Sequence, residues 1–351
     1  MGIRLLEQKD IPEIVSIWNE SVESGEVVLA PMTESKFHQK FEGDPNYDPA
    51  LSFVWEEDGK VAGFIIGMAK KVFLPGETYE NTPGLLTCIF VRKAYRGRDI
   101  GEALVDHLGE LFKKSGKKVY ACNGDVNPID LDWIVPGTPG HDHNNAPGMD
   151  TACPGYAFLK SMGFQEDARE IAMYLNLAEY TPWAGMKQKQ EELLAQGIYT
   201  GRYDPSLNYD YDRMCDRVGK EYWRNVIRAE LECHRTGKPN TDIHLIPNGT
   251  KVPDGPRPML VATHDKHIVA FTGPVDKQES GRGWFCGIFT DPEYERRGIA
   301  SVLFNLLMQE FIAEGAQFST LFTGVENHAQ RIYLRTGFRI VRQFAIMHKD
   351  L

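Results

Sequence analysis

Two short stretches of this chain combine glycine, arginine and a helix start in a way that could hold a phosphate group. They read YRGRDIG at 95–101 and YERRGIA at 294–300. Backbone N–H groups at a helix start point toward an anion, and glycine lets the chain come close to it. Arginine side chains can neutralise the phosphate charge. Both stretches therefore predict phosphate-binding loops, although Asp99 places a carboxylate inside the first one.

The same order of elements surrounds both loops. A strand-like apolar run precedes each loop, LLTCIFV at 85–91 and WFCGIFT at 284–290, and apolar residues at helical spacing follow it. Each copy then continues with a second strand, a helix that ends in Gly-Phe, and a last alternating run. One unit, strand–loop–helix–strand–helix–strand, therefore occurs twice. We expect two domains, 1–180 and 181–351.

The first copy carries an insert, residues 128–153, that is rich in Pro, Gly, Asn and Asp and predicts a loop. A long loop of this kind is often a binding loop or lid. We expect it to shape an acceptor pocket with His141, His143 and Asp150, and a plain surface insertion is the alternative. The insert also holds five potential metal ligands, His141, Asp142, His143, Asp150 and Cys153. Because His-x-His here lacks a second ligand pair at structural-zinc spacing, we expect no metal.

The composition narrows the class of protein. The net charge of −10 argues against nucleic acid as a partner, since phosphate binding depends on Lys and Arg. The six cysteines form no CxxC pair, which indicates a reducing compartment. No apolar run is long enough for a signal peptide or a membrane span. We expect a globular cytoplasmic protein with two packed cores and no membrane partner.

The ordered set of motifs resembles the GNAT acetyltransferases, which move an acetyl group from acetyl-coenzyme A to an amine. In that family a strand is followed by Arg/Gln-x-x-Gly-x-Gly/Ala, whose amides hold the coenzyme pyrophosphate at a helix start. A later Asn, a helix carrying a Tyr, and a Gly-Phe complete the pattern. The second copy has the loop at 295–300, then Asn327, Tyr333 and Gly337-Phe338. The resemblance implies an α+β fold with two tandem units, each a mixed, mainly antiparallel twisted sheet flanked by helices.

The first copy departs further from this pattern than the second. Asp99 replaces the glycine of the loop, and Leu159 stands where the second copy has Tyr333. Leucine has no proton to give to a leaving thiolate. We therefore expect the first unit to be degenerate and the second, C-terminal unit to be catalytic. Asp99 could equally serve as a helix N-terminal charge that leaves binding through backbone amides intact. The second copy departs mainly at Glu295, where Arg or Gln is usual.

The resemblance implies a site in the second unit. A strand amide at 288–290 would donate to the thioester carbonyl, and Tyr333 would protonate the leaving thiolate. Glu326 could take the proton of the amine, and the alternative is a solvated Glu326 in an enzyme that encodes no base. The residues expected to bind acetyl-coenzyme A are Ile288, Phe289, Thr290, Arg296, Arg297, Gly298, Ile299, Ala300, Ser301 and Asn327.

We therefore expect an acyl-CoA-dependent N-acetyltransferase that moves acetyl from acetyl-CoA to a primary amine of a small molecule. Two alternatives remain open: a mycothiol-synthase-like or other acyl transfer, and a non-catalytic acetyl-CoA sensor. A dinucleotide-binding fold is excluded, because no GxGxxG follows the first strand of a βαβ unit. The sequence determines neither the acceptor nor the oligomeric state.

Overall fold

The computed structural model describes residues 2–74, 76–207, 209–217, 221–238 and 255–351. The chain divides into two compact units. Unit 1 comprises Met1–Ala172 together with Arg342–Leu351, and unit 2 comprises Met173–Val341. The end of the chain therefore belongs to the first unit. The linear boundary at residue 180 stays a prediction.

Unit 1 contains most of the elements of the N-terminal half of the chain. Its helices are α1 (Ile11–Glu23), α2 (Glu34–Phe37), α3 (Ile100–Lys114) and α4 (Pro154–Ser161). The strands of this half are β1 (Gly2–Leu5), β2 (Ser52–Glu57), β3 (Lys60–Ala69), β4 (Gly84–Val91), β5 (Val119–Cys122), β6 (Trp133–Ile134), β7 (Asp142–His143), β8 (Met149–Asp150) and β9 (Gln165–Asn176).

Unit 2 repeats this arrangement with one additional helix before its first strand. Its helices are α5 (Met186–Ala195), α6 (Asp212–Arg217), α7 (Glu221–Thr236), α8 (Ile299–Ala313) and α9 (Gln330–Arg335). The strands that follow β9 are β10 (Tyr199–Arg202), β11 (Leu260–His264), β12 (His267–Gly273), β13 (Asp276–Lys277), β14 (Arg282–Trp284), β15 (Gly287–Thr290), β16 (Phe318–Gly324) and β17 (Arg339–Asp350).

The sheet of unit 1 is mixed and mainly antiparallel, as expected. Strands β1 to β4 pair in sequence order, each antiparallel to the next. Strand β4 runs parallel to β5 over only two residue pairs, Gly84↔Tyr120 and Leu85↔Ala121. Beyond Leu85 the two strands separate. The other edge of β5 pairs antiparallel with β17, whose Met347 lies opposite Cys122.

Unit 2 shows the same separation of strands. Strands β10, β11, β12 and β15 form one antiparallel sheet. The parallel pairing of β14 with β16 again covers two residue pairs, Arg282↔Phe318 and Gly283↔Ser319. Strand β15 is an edge strand that pairs with β12 alone among the described strands. Each unit therefore has a cleft beside the strand that precedes its glycine loop.

Packing of the motif helix is equivalent in the two units. Helices α3 and α8 each have 15 residues and carry buried apolar side chains at helical spacing. A Cβ atom on Gly84 would lie 2.4 Å from the Phe112 ring, and one on Gly283 would lie 2.6 Å from the Phe311 ring. Glycine at the start of each strand is therefore what lets the last turn of the helix pack on it.

The insert 128–153 differs from the loop that its composition predicts. It contains β6, β7 and β8, and β6 pairs antiparallel with β7. The side chain of Trp133 is fully buried and stacks on His143, with ring centroids 5.5 Å apart. Apolar anchoring of this kind orders a segment that is otherwise rich in turn-forming residues.

Candidate functional site

The glycine loop of unit 2 begins with the single 3₁₀ turn Pro292–Tyr294 and ends at the first residue of α8. Gly298 is the N-cap of that helix and has φ 86°, a left-handed conformation that side chains rarely adopt. Arg296 is also left-handed, with φ 62°. A non-glycine residue in this region stores strain, which proteins tend to keep at functional sites. The loop thus presents the open N-terminus of a 15-residue helix.

The arginines of this loop keep their charge available. Arg296 and Arg297 are exposed, and neither forms an ion pair with a described carboxylate. The Arg297 guanidinium lies 5.1 Å from the centre of the Tyr294 ring and donates to the Glu293 carbonyl oxygen at 3.3 Å. The aliphatic part of the Lys189 side chain on α5 lies beside the loop, since its Cδ would be 3.2 Å from a Cβ on Gly298. The Lys189 amine pairs with Glu192.

Strand β15 contains the expected residues Ile288, Phe289 and Thr290. They pair with Thr272, Phe271 and Ala270 of β12, and the opposite edge of β15 has no strand partner among the described residues. Three buried hydroxyls lie on these two strands, that of Thr290 on β15 and those of Thr320 and Thr323 on β16. None of them has a hydrogen-bond partner within the described part of the chain. Since buried polar groups are normally paired, such orphan hydroxyls fit a polar ligand in this cleft.

Tyr333 lies on α9 and is only 7% exposed. Its ring packs against Phe304 at 5.0 Å and Phe338 at 6.3 Å, measured between ring centroids. Burial raises the pKa of the phenol to about 12. The hydroxyl forms no hydrogen bond with any described residue. At neutral pH the Tyr333 phenol is therefore protonated, and its O–H is not already hydrogen-bonded to a described residue.

Glu326 and Asn327 are exposed in the segment between β16 and α9. The Asn327 side-chain oxygen accepts a hydrogen bond from the Ala329 N–H at 2.9 Å. This bond stabilises the turn that leads into α9. The unit 1 counterpart Asn127 does the same with the Ile129 N–H at 3.0 Å. The oxygen of Asn327 therefore has a structural task besides any contact with a ligand.

The unit 1 loop has the same backbone conformation but opposite local chemistry. Gly97 and Asp99 are left-handed, with φ 71° and 57°, at the positions of Arg296 and Gly298. Asp99 is the N-cap of α3, as Gly298 is of α8. Aspartate tolerates this left-handed conformation, so the turn is preserved although it carries a carboxylate.

The two arginines of the unit 1 loop are both neutralised. Arg96 forms two hydrogen bonds to Glu26, at 2.9 and 2.7 Å, and Arg98 lies 3.1 Å from Glu57. These bonds to Arg96 hold the pKa of the Glu26 carboxyl below its usual range. The first unit therefore offers no free guanidinium from its loop to a phosphate group.

A cavity of about 330 Å³ opens beside β4 in unit 1. The insert forms part of its wall through Ala146, Gly148 and Asp150. Asp150 accepts hydrogen bonds from Arg342 and from the Ala152 N–H, at 3.0 and 2.9 Å. The structure thus brings Asp150 to this cleft.

The other two expected insert residues lie elsewhere. His141 and His143 do not line the cavity. His143 is buried against Trp133, and His141 is partly exposed. Together with Asp150 they remain only a prediction as acceptor residues.

Several residues that contact the two loops were not predicted from the sequence. Lys189, Glu26 and Glu57 lie far along the chain from the loops that they contact. The only sequence signal for Glu57 is its place before the Asp58-Gly59 hairpin turn, where unit 2 has His264 before Asp265-Lys266. His264 lies 2.9 Å from the Tyr294 hydroxyl through its Nδ1. It therefore leaves Arg297 without the carboxylate that Arg98 has.

No group of three or more His, Cys, Asp or Glu side chains is placed to hold a metal ion in the described part of the chain. Within the same residues, no helix is both long enough and apolar enough to span a membrane.

Comparisons with known proteins give a consistent picture. A family model described as the acetyltransferase (GNAT) family matches residues 14–129 and again residues 223–338. A search of curated proteins finds no match. The chain is similar in structure to a GCN5-related N-acetyltransferase from Sphaerobacter thermophilus, at 14% identity and a TM-score of 0.58. That alignment covers 99% of this chain and 95% of the other.

Two further solved structures are similar in fold. One is a tandem GNAT protein from the clavulanic acid biosynthesis pathway, at 14% identity and a TM-score of 0.52, with 99% and 98% of the two chains covered. The other is the glucosamine N-acetyltransferase region of a fungal multi-domain GH3 β-N-acetylglucosaminidase, at 16% identity and a TM-score of 0.62. That alignment covers 99% of this chain, which spans only 38% of the fungal chain.

Proposed function

Because this chain belongs to the acetyltransferase (GNAT) family, with the family pattern present twice, we propose that unit 2 moves acetyl from acetyl-CoA to a primary amine of a small molecule. One observation carries the assignment to unit 2. The exposed guanidiniums of Arg296 and Arg297 form no ion pair with the described carboxylates, whereas Arg96 and Arg98 are paired. A diphosphate gains most where cations are not already neutralised.

The proposed coenzyme site follows from this charge and from the cleft. The diphosphate binds at Arg296, Arg297 and the amides of Gly298–Ser301, at the start of α8. The pantetheine arm runs between β15 and β16 toward Asn327, past the orphan hydroxyls of Thr290 and Thr323. Ile288 and Phe289 complete the wall of this cleft.

The acetyl transfer needs an oxyanion donor and an acid from the protein, and a base that removes the amine proton. The amine nitrogen attacks the thioester carbonyl, and an N–H of β15 (288–290) stabilises the negative charge on the carbonyl oxygen. The carbon–sulfur bond then breaks, and Tyr333 gives a proton or a hydrogen bond to the departing thiolate. A phenol whose pKa is raised to about 12 is still protonated when this step occurs.

Glu326 is proposed to remove the amine proton, directly or through water, since it is exposed beside the end of β16. Glu326→Gln is expected to lower kcat at neutral pH and to approach wild-type activity at high pH, where the amine is already neutral. A variant with wild-type kcat at every pH would show that the enzyme encodes no base here.

Calorimetric titration with acetyl-CoA tests the assignment. Wild type is expected to show one site, and Arg296→Gln/Arg297→Gln should weaken it about tenfold to a hundredfold per charge-assisted bond lost. The matched double variant Arg96→Gln/Arg98→Gln should bind as wild type does. Loss of binding in that control, with retention in the unit 2 variant, would move the coenzyme to unit 1.

The acceptor is tested by a screen of primary amines, with release of free thiol as the readout. Glucosamine belongs in the set, since the fungal region with a similar fold is a glucosamine N-acetyltransferase. Slow thiol release with no amine acetylated would favour hydrolysis. Binding without any thiol release would favour the sensor alternative.

A further inference from the structure

The cleft of unit 1 is the most prominent feature that the proposed function leaves without a role. Its volume of about 330 Å³ lies at the lower end of the range in which proteins bind small molecules. It begins where β4 and β5 separate, and it extends to the insert and to the start of α4. All of its lining residues belong to unit 1.

The lining is mainly apolar, with Val27, Leu29, Ile89, Phe158 and Phe344 among the side chains that form it. Its buried polar side chains already have partners. No described residue of this lining has a buried side-chain nitrogen or oxygen without a hydrogen bond. A polar ligand would therefore have to rely on backbone groups and rim residues for its hydrogen bonds, whereas an apolar ligand matches the side chains.

Two examples show how the polar groups of the cleft are satisfied. The Asn127 side-chain amide donates to the Thr87 hydroxyl at 3.0 Å. The Asp150 carboxylate lies 2.9 Å from the Arg342 guanidinium. In unit 2 the comparable strands instead leave the hydroxyls of Thr290 and Thr323 without a described partner.

The mouth of the cleft is unsuited to a diphosphate. Its one lining cation, Arg96, is bound by both oxygens of Glu26, and Glu102 is a further carboxylate at the rim. Asp99 adds a negative charge at the N-cap of α3. A free cation would have to leave water for a mainly apolar lining in which Glu26 and Asp150 are already paired with arginines.

We propose that the unit 1 cleft is a binding site for an uncharged, mainly apolar small molecule, and that it no longer takes a nucleotide coenzyme. Where the family pattern would put a diphosphate, both loop arginines are paired with carboxylates and Asp99 adds a negative charge. The remaining driving force is burial of apolar surface in a preformed cavity. This inference is independent of catalysis in unit 2.

Three cysteines in the lining provide a readout within the site itself. Cys88, Cys122 and Cys153 all contribute to the cavity wall. Burial raises the pKa of the Cys153 thiol, so its alkylation is slow enough to follow. Cys233 of unit 2 is similarly buried and is the internal reference.

The experiment uses N-phenyl-1-naphthylamine, a neutral apolar probe whose fluorescence rises on binding. Wild type should bind it saturably. At about ten times the dissociation constant the probe should slow Cys153 alkylation about tenfold by mass action and leave Cys233 unchanged. Saturating acetyl-CoA should leave both signals unaltered, because it binds elsewhere or not at all.

Two tryptophan variants locate the probe. Ala146→Trp places a large side chain on the partly exposed wall of the cavity and should abolish binding. Ala157→Trp, on the exposed face of α4, should bind as wild type does. Displacement of the probe by acetyl-CoA would show a coenzyme site and overturn the proposal. Unchanged Cys153 alkylation, or full binding by Ala146→Trp, would overturn it equally.

Discussion

The two glycine loops of this chain share a backbone conformation but differ in the charges around it. Each uses two left-handed residues, and the residue types are exchanged between them: Gly97 and Asp99 in unit 1, Arg296 and Gly298 in unit 2. In each loop, therefore, one of the two left-handed positions is occupied by glycine without strain, and the other holds a strained non-glycine residue. The turn survives either choice, so backbone shape alone does not determine which loop binds the coenzyme.

The difference lies in what surrounds the loops. In unit 1 the hairpin residue Glu57 forms an ion pair with Arg98, whereas His264 at the corresponding place contacts Tyr294, and Arg297 has no carboxylate partner among the residues that the structure describes. One change of residue type in a neighbouring hairpin thus decides whether a loop guanidinium is available. Ligand preference in such a loop is a property of its neighbours as much as of its motif.

The largest expected effect is on catalysis. Tyr333→Phe should lower kcat about a hundredfold or more while the dissociation constant of acetyl-CoA stays unchanged, because only the proton donor is lost. The pH profile of wild type should show no limb from this group between about pH 6 and 10, since its pKa is raised to about 12. Tyr156→Phe on α4 is the matched control. If the control loses activity and Tyr333→Phe does not, unit 1 performs the chemistry.

A reciprocal exchange at the loops tests the role of charge. Gly298→Asp should weaken acetyl-CoA binding by about 1–3 kcal/mol, roughly tenfold to a hundredfold, because a carboxylate then faces the diphosphate. The fold should survive, as Asp99 has the same conformation in unit 1. Calorimetry and a melting curve check both points.

The converse change removes the carboxylates that lie in and around the unit 1 loop. The triple variant Asp99→Gly/Glu26→Gln/Glu57→Gln should create a second, weaker acetyl-CoA site, seen as a change of stoichiometry in calorimetry. A stoichiometry of one in this variant would mean that the shape of the unit 1 cleft, and not its charge, excludes the coenzyme.

A smaller effect is expected from Lys189, whose side chain lies beside the unit 2 loop. Lys189→Met should raise KM for acetyl-CoA a few-fold without changing kcat, since a partly exposed charge contributes about 0.2–1 kcal/mol. The effect should shrink at high salt. Lys187→Met, an exposed neighbour on the same helix, should have no effect on KM. Equal effects of the two variants would leave Lys189 without a special role.

The smallest effect concerns stability in acid. Hydrogen bonds from Arg96 lower the pKa of Glu26 below its ordinary value of 4.5. The pair therefore stabilises the fold above that value, and its contribution is lost as the pH falls through the lower folded-state pKa. Glu26→Gln should remove this part of the acid dependence, by less than about 1 kcal/mol in denaturant titrations. Unchanged acid sensitivity would show that the ion pair has no net effect.

Much of the fold could be read from local patterns. Apolar periodicity and the Gly-Phe stops predicted the helices and strands of two repeated units. The mainly antiparallel sheet of each unit was implied by the resemblance to the GNAT family. The insert was less predictable. Its composition indicates a loop, yet burial of Trp133 orders β6 and β7. Such anchoring depends on tertiary partners that composition does not reveal.

The candidate site, like the fold, has features that the sequence predicted and features that depend on the tertiary structure. The sequence by itself determined the repeat, the glycine loops, the helices that they start and the loss of the second tyrosine at Leu159, because these depend on residue type and spacing along the chain. Only the tertiary structure decided that Arg96 and Arg98 are neutralised by Glu26 and Glu57, while Arg296 and Arg297 meet no carboxylate in the described part of the chain. Ion pairs join residues that are distant in sequence, and a charge count along the chain carries no record of which charges meet.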